Sequence, residues 1–271
     1  MDGRDTVLRT SALTTRVLAP NAGPMTLDGT NSFVLRAPGA DSTVIVDPGP
    51  EDAAHLDRLA AIGRVELILL THHHADHAAS IHTFARTTGA PVRAADPRLC
   101  VDAPPLEDGA EISAAGCRIR TIATPGHTAD SVCFQLPGDA AADGTALPEG
   151  SVLTGDTILG RGTTIIADDG DLGDYLASLE RLRALGAAQV LPAHGPTLPD
   201  LAAICTAYLA HRRERLAEVQ TALDSLGIPA AADAATVARV ADVVYPRVDP
   251  GIRFAAEAST RAQLQYLADR T

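Results

Sequence analysis

The chain has 271 residues, which suits one large domain or one domain with a smaller appendage, and its balance of 46% hydrophobic to 21% charged residues is that of a globular protein. A formal net charge of -12 excludes nucleic-acid binding through a global field, so any such role needs a local Arg patch. All 22 basic residues are Arg, which excludes chemistry that needs lysine, including Schiff bases, Walker A loops and carbamylated-lysine metal bridges.

Residues 1–5 are charged and no apolar leader segment follows them, and no run approaches a membrane span. Cys100, Cys117, Cys133 and Cys205 are widely spaced with no CxxC, so they read as free thiols. The expectation is a cytoplasmic protein that does not meet a membrane.

In chain order, Thr43–Val46 is β-branched throughout and reads as a strand ended by Asp47-Pro48-Gly49. Residues 51–62 have helical periodicity. Val65–Leu70 is almost continuously apolar, which predicts a central strand buried on both faces. A helix follows over 78–88, stopped by Gly89. Strands are expected at Val92–Ala94, Cys117–Ile122, Val132–Leu136, Val152–Thr154 and Gln189–Leu191, with Arg118 and Arg120 marking one wet face. Residues 137–150 form a surface loop, and 172–185 a helix closed by Gly186. Beyond Pro199 the pattern is helical: a long helix over 200–226 with Gly227 and Pro229 as stop signals, then 234–244 and 255–269. From residue 196 onward there are 8 Arg against 9 acids, so this tail is nearly neutral and compositionally distinct. The expected division is a catalytic domain over 1–199 and a helical domain over 200–271.

Five histidines fall in three motifs, each directly after a predicted strand. The first is His72-x-His74-x-Asp76-His77. Residues two apart at a strand end project to one side, so His72 and His74 are able to grip one ion while Asp76 and His77 face another. The second is Pro125-Gly126-His127, and the third is Ala193-His194-Gly195; Thr154-Gly155-Asp156 lies between them. Imidazole and carboxylate groups suit zinc and related divalent ions. Six terminal ligands and one bridging carboxylate would hold two ions about 3.5–4 Å apart with room for water and substrate. A single His127 or His194 would more often be an ordinary hydrogen-bonded histidine, but four motifs in this order, each at a strand end, argue jointly for a site. His73 points away from its neighbours and is expected not to bind. His55, His82 and His211 have no motif around them and read as surface residues.

Over residues 15–200 these motifs resemble the metallo-β-lactamase superfamily. The resemblance implies an α/β fold, a four-layer αββα sandwich with the metals at one edge between two sheets. It implies His72, His74 and His127 on the first ion, Asp76, His77 and His194 on the second, and Asp156 bridging them. It also implies hydrolysis by a metal-activated water, with Asp76 and Asp156 at the catalytic centre. Zinc is expected ahead of manganese or iron because the set is rich in His. The Asp at 156, where zinc β-lactamases commonly have Cys, resembles the glyoxalase II and nuclease side of the superfamily.

Three further segments resemble the short β-lactamase-like endoribonucleases with a winged-helix-like C-terminus: residues 25–31; Gly162-Thr163-Thr164 with residues 175–179; and Arg212-Arg213 with Tyr245-Pro246 and residues 253–257. The resemblance implies single-stranded RNA as substrate, with Asn31, Thr164, Arg212 and Arg215 as contacts. Arg212 and Arg215 are i,i+3 and share a helix face able to follow phosphates, although Glu214 and Glu218 are equally placed to pair with that face. A thioester, ester or β-lactam is the alternative substrate. A non-catalytic nucleic-acid- or protein-binding module is the second alternative. The C-terminal helices are also suited to forming a homodimer, and the sequence leaves these uses open.

Overall fold

The computed structural model describes residues 6–270, so the charged segment read at 1–5 lies outside the described residues. Two sheets stack face to face. The first has the order β1-β2-β3-β4-β5-β6, built from Val7–Arg9, Thr14–Leu18, Asn31–Leu35, Ser42–Val46, Arg64–Leu69 and Val92–Arg93. Helices α1 (Ala53–Ala60), α2 (Ala75–Ala78) and α3 (Ile81–Thr88) belong to this half. The second sheet, in the order β11-β10-β9-β8-β7, uses β7 (Glu111–Ala114), β8 (Cys117–Ala123), β9 (Val132–Leu136), β10 (Ser151–Gly155) and β11 (Gln189–Pro192). Its outer face carries α4 (Leu172–Arg183) and the start of α5 (Leu201–Leu226). Helices α6 (Ala234–Val244) and α7 (Arg253–Ala268) complete the chain.

The near-continuous apolar strands make four layers because successive residues serve opposite faces. Phe33, Leu35, Val44, Val46, Leu67 and Leu69 point between the sheets, where they meet Ile119, Phe134, Leu153 and Leu191. Their neighbours Val34, Ile45 and Ile68 point outward against Leu56 and Leu59 of α1 and Phe84 of α3. On the other side Ile122, Cys133, Val152 and Val190 pack on Tyr175, Leu179 and Leu182 of α4 and on Cys205 and Leu209 of α5. The result is the αββα sandwich expected from the sequence, and Arg118 and Arg120 lie on the exposed side of β8.

Helix α5 begins at an Asp200 side chain that caps the Ala203 amide and ends at Gly227 in the left-handed region. Its first half belongs to the fourth layer, while Val219, Ala222 and Leu223 form a separate small core with Val237, Val240 and Leu264. The winged-helix-like expectation is corrected here: among the described residues, 200–270 contain no strand. The link between α6 and α7 carries Pro246 and a turn capped by Asp249 at Pro250, and it lacks the alternating apolar pattern a β-wing needs. No helix of the described residues is long and apolar enough to cross a membrane.

Candidate metal centre

The strand ends of the two sheets meet along one edge. Chain following β5 supplies His72, His74, Asp76 and His77; chain following β8 supplies His127; the ends of β10 and β11 supply Asp156 and His194. Two glycines allow this close convergence. A Cβ on Gly126 would lie 2.3 Å from the Tyr175 Cα, and one on Gly155 would lie 2.7 Å from the Thr71 side chain; both residues have positive φ.

Three ligand-type atoms, one each from His72, His74 and His127, lie within 4.8 Å of one another, and so do those of Asp76, His77 and His194. Asp156 stands between the groups. Its Oδ1 is 3.3 Å from His194 Nε2 and 3.6 Å from His77 Nε2, while its Oδ2 is 3.7 Å from His127 Nε2. The seven residues that the sequence motifs single out are therefore brought together.

Second partners fix each ring. His77 Nδ1 donates to Asp47 Oδ2 at 2.9 Å, His127 Nδ1 to the Ile165 carbonyl at 2.9 Å, and His194 Nδ1 to the Gly29 carbonyl at 3.2 Å. His72 Nδ1 donates to Thr71 Oγ1 at 3.0 Å, and that hydroxyl in turn donates to Asp47 Oδ2 at 2.7 Å. With Nδ1 holding the proton, Nε2 of these four rings is left with a lone pair facing the centre. His74 is turned the other way: its Nε2 meets Asp169 Oδ2 at 3.0 Å and its Nδ1 faces inward, 3.1 Å from His127 Nε2.

The residues present fit a pair of divalent cations. Buried His72 Nε2, His77 Nε2, His194 Nε2 and Asp156 Oδ1 make no well-formed hydrogen bond, and His77 and His194 have only charge contacts of 3.1 to 3.6 Å with Asp76 and Asp156, a costly arrangement that a cation relieves. The electrostatics agree. Burial works against the charged forms of Asp156 and Asp76, yet the surrounding His77 and His194 hold both carboxyls well below the usual carboxylate range. Burial likewise opposes protonation of His194, but Asp156 and Asp76 push it up to about 9. A site that draws protons onto its histidines is one in which carboxylates call for positive charge.

Asp47 was not among the sequence candidates. It is 2% exposed, has a positive φ of 53°, and its carboxylate also accepts from the Thr71 amide at 2.8 Å. In the sequence it has the look of a turn residue before Pro48-Gly49. The usable signal is that β4 runs parallel to β5 with Val46 beside Leu69, which places the next residue against the first His motif. Asp169 and Asp130, which hold His73 at 3.1 and 2.7 Å, carried no signal at all.

The structure places His55 and the four expected RNA contacts differently from the sequence reading. His55 is fully buried, 2.9 Å from Ser32 Oγ, because it faces inward from α1. Asn31 is buried and its amide donates to the Pro192 and Gly195 carbonyls, both at 2.9 Å, so it clamps the His194 turn. Arg212 is 4% exposed; it donates to the Thr164 carbonyl and lies over the Tyr175 ring at 5.1 Å, which takes it off any surface that follows phosphates. Thr164 is buried too, with its hydroxyl 3.1 Å from His127 Nδ1, and Arg215 pairs with Glu218.

Known proteins are similar to this chain in sequence and fold. A sequence-family model for the Metallo-beta-lactamase superfamily matches residues 25–194. The chain is 33% identical over 257 residues to Lactamase-like protein vrtG of Penicillium aethiopicum, covering 89% of this chain and 76% of that one. It is 31% identical over 245 residues to Atrochrysone carboxyl ACP thioesterase AgnL7 of Paecilomyces divaricatus, covering 85% and 71%. The crystal structure of a metallo-beta-lactamase family protein from Thermus thermophilus superposes with a TM-score of 0.73 at 26% identity, covering 95% of this chain and 93% of that one. With its strand-end His and Asp cluster, this chain belongs to the metallo-β-lactamase superfamily and is one of its metal-dependent hydrolases.

Proposed function

We propose that the protein hydrolyses a small ester or thioester at a centre of two zinc ions, with His72, His74 and His127 on one ion, Asp76, His77 and His194 on the other, and Asp156 between them. The observation that carries the reading is the inward set of unpartnered His Nε2 atoms flanking Asp156, whose two oxygens face opposite groups. Ions held there supply Lewis acidity and a water that ionises near neutral pH. The chain does the positioning. Asp47 fixes the His77 ring directly and the His72 ring through Thr71, and the Gly29 carbonyl fixes His194. Asp76, about one quarter exposed, sits on the open side of the centre, where its carboxylate would orient an attacking water.

Similarity to a protein named as a carboxyl ACP thioesterase supports a thioester. Single-stranded RNA is left with the subgroup resemblance alone, because Arg212 is buried and the net charge of -12 repels a polyanion. The test is parallel turnover by zinc-loaded protein of an N-acetylcysteamine thioester, a single-stranded RNA oligomer, nitrocefin and bis-p-nitrophenyl phosphate. Thioester turnover abolished by Asp156→Ala is expected. Metal-dependent RNA cleavage at low salt with no thioester turnover overturns the reading.

A further inference from the structure

A second concentration of unpartnered polar atoms belongs to residues that line a cavity of about 280 Å³ between the 163–165 segment, α5 and α7. Arg212 Nε, Arg215 Nε and both amide atoms of Gln263 are buried there without a hydrogen-bond partner, and Arg212 and Gln263 are 4% and 1% exposed. No carboxylate lines the cavity, in a chain whose net charge is -12.

The donors are held in place. Arg212 is locked by the Thr164 carbonyl and the Tyr175 ring, so its Nε–H has one direction. Arg215 gives its outer nitrogen to Glu218 and keeps Nε inward. Two guanidinium groups facing one cavity repel each other, and buried N–H groups left unpaired are costly. An anion relieves both penalties together, whereas water relieves only the second. The remaining wall is mixed: Val248, Ile252 and Ala255 give it an apolar stretch, beside His211, Tyr245 and Ser259. Two cationic donors, an amide and a short apolar wall suit a single carboxylate on an aliphatic stem; a run of phosphates has no matching row of donors.

The cavity also shares a wall with the metal centre. The Thr164 carbonyl takes Arg212, while the Thr164 hydroxyl and the Ile165 carbonyl hold His127 Nδ1. We infer that the cavity is the subsite for a carboxylate carried by the acyl substrate, so that the preferred substrate is an acid-bearing ester or thioester. The identity of the ligand as substrate rests on the hydrolase reading above; binding of a carboxylate in the cavity does not.

The test uses the zinc-loaded full chain and two measurements. Calorimetry compares pentanoate with pentanamide, in the wild type and in Gln263→Leu and Arg215→Leu, which avoid the tightly packed Arg212. Pentanoate is expected to bind about tenfold more tightly than the amide, and each variant to lose about tenfold for pentanoate alone, as one charge-assisted hydrogen bond implies. Kinetics compare the N-acetylcysteamine thioesters of glutarate and pentanoate. The glutaryl preference in kcat/KM should fall toward one in both variants, through KM. Equal pentanoate binding in wild type and variants overturns the inference. A binding contrast without any glutaryl preference overturns the substrate assignment, since the ligand is then a free acid. A binding contrast with no thioester turnover leaves the cavity standing and refutes the hydrolase reading.

Discussion

The His–Asp cluster and the Arg–Gln cavity both abut the 164–165 segment, yet they are built by different means. In the cluster, functional atoms sit at strand ends and most rings are held by a second partner from another strand or loop, as Asp47 holds His77 and Gly29 holds His194. In the cavity, the polar groups project from two helices some fifty residues apart, and only Arg212 has a close-packed support. The cluster is pre-organised by the sheets, which suits chemistry that tolerates little displacement. The cavity is formed by helix packing, which suits selection among substrates.

The largest effect is expected at the residue that joins the two ligand groups. Asp156→Ala should lower both metal content and kcat/KM by several orders of magnitude, because metal coordination brings the ionisation of water down to about 7 from far above the physiological range. Full turnover with intact metal content in that variant would break the account of the cluster.

His55 measures what the scaffold on the cluster side contributes. Burial, followed by the nearby Arg58, lowers this ring from its ordinary value near 6.5 to about 4. The unfolded ring takes up a proton below pH 6.5 and the folded ring does so only near pH 4, so stability is complete above 6.5 and falls as pH drops through that window. The loss should reach about 3 kcal/mol. Denaturant unfolding of wild type and His55→Gln at pH 7 and pH 4.5 checks this: the difference between the two proteins should shrink or reverse at the lower pH.

Asp47→Asn separates positioning from ligation. It should weaken metal affinity or activity by roughly 10–100-fold, less than Asp156→Ala, as loss of an outer partner does. Unchanged metal affinity and pH profile would reduce Asp47 to a turn residue. The smallest effect belongs to the exposed side of α5, where Arg213 lies 3.4 Å from Glu180. Arg213→Ala should change stability by no more than about 0.5 kcal/mol. A large loss there would show that the outward Arg face matters more than the inward one.

Legibility in the sequence follows the same division. The strands at 43–46, 65–70 and 132–136 were visible because double-sided burial writes an unbroken apolar run, and the ligand-type residues were visible because strand ends compress them into short motifs. Strands β1, β2, β3 and β7 are not legible in the sequence. They are short and mix polar with apolar residues, as in Thr14–Leu18, and the alternation of Glu111–Ala114 is too brief to mark a strand. The helical tail was legible as helices, with 234–244 matching in full. Which side of α5 faces inward was not, because its apolar positions lack a consistent stripe and Arg212 is buried beside exposed Arg213. Gln263 carried no signal, since its role depends on α7 packing against α5 and the 163–165 segment, a contact that no local pattern encodes.

The central claim is that Asp156 joins two separate ligand groups, and metal stoichiometry tests it most directly. Elemental analysis of the purified full chain should find two divalent ions per molecule, falling to one in His194→Ala. A single ion at full occupancy, unchanged by that substitution, would contradict it.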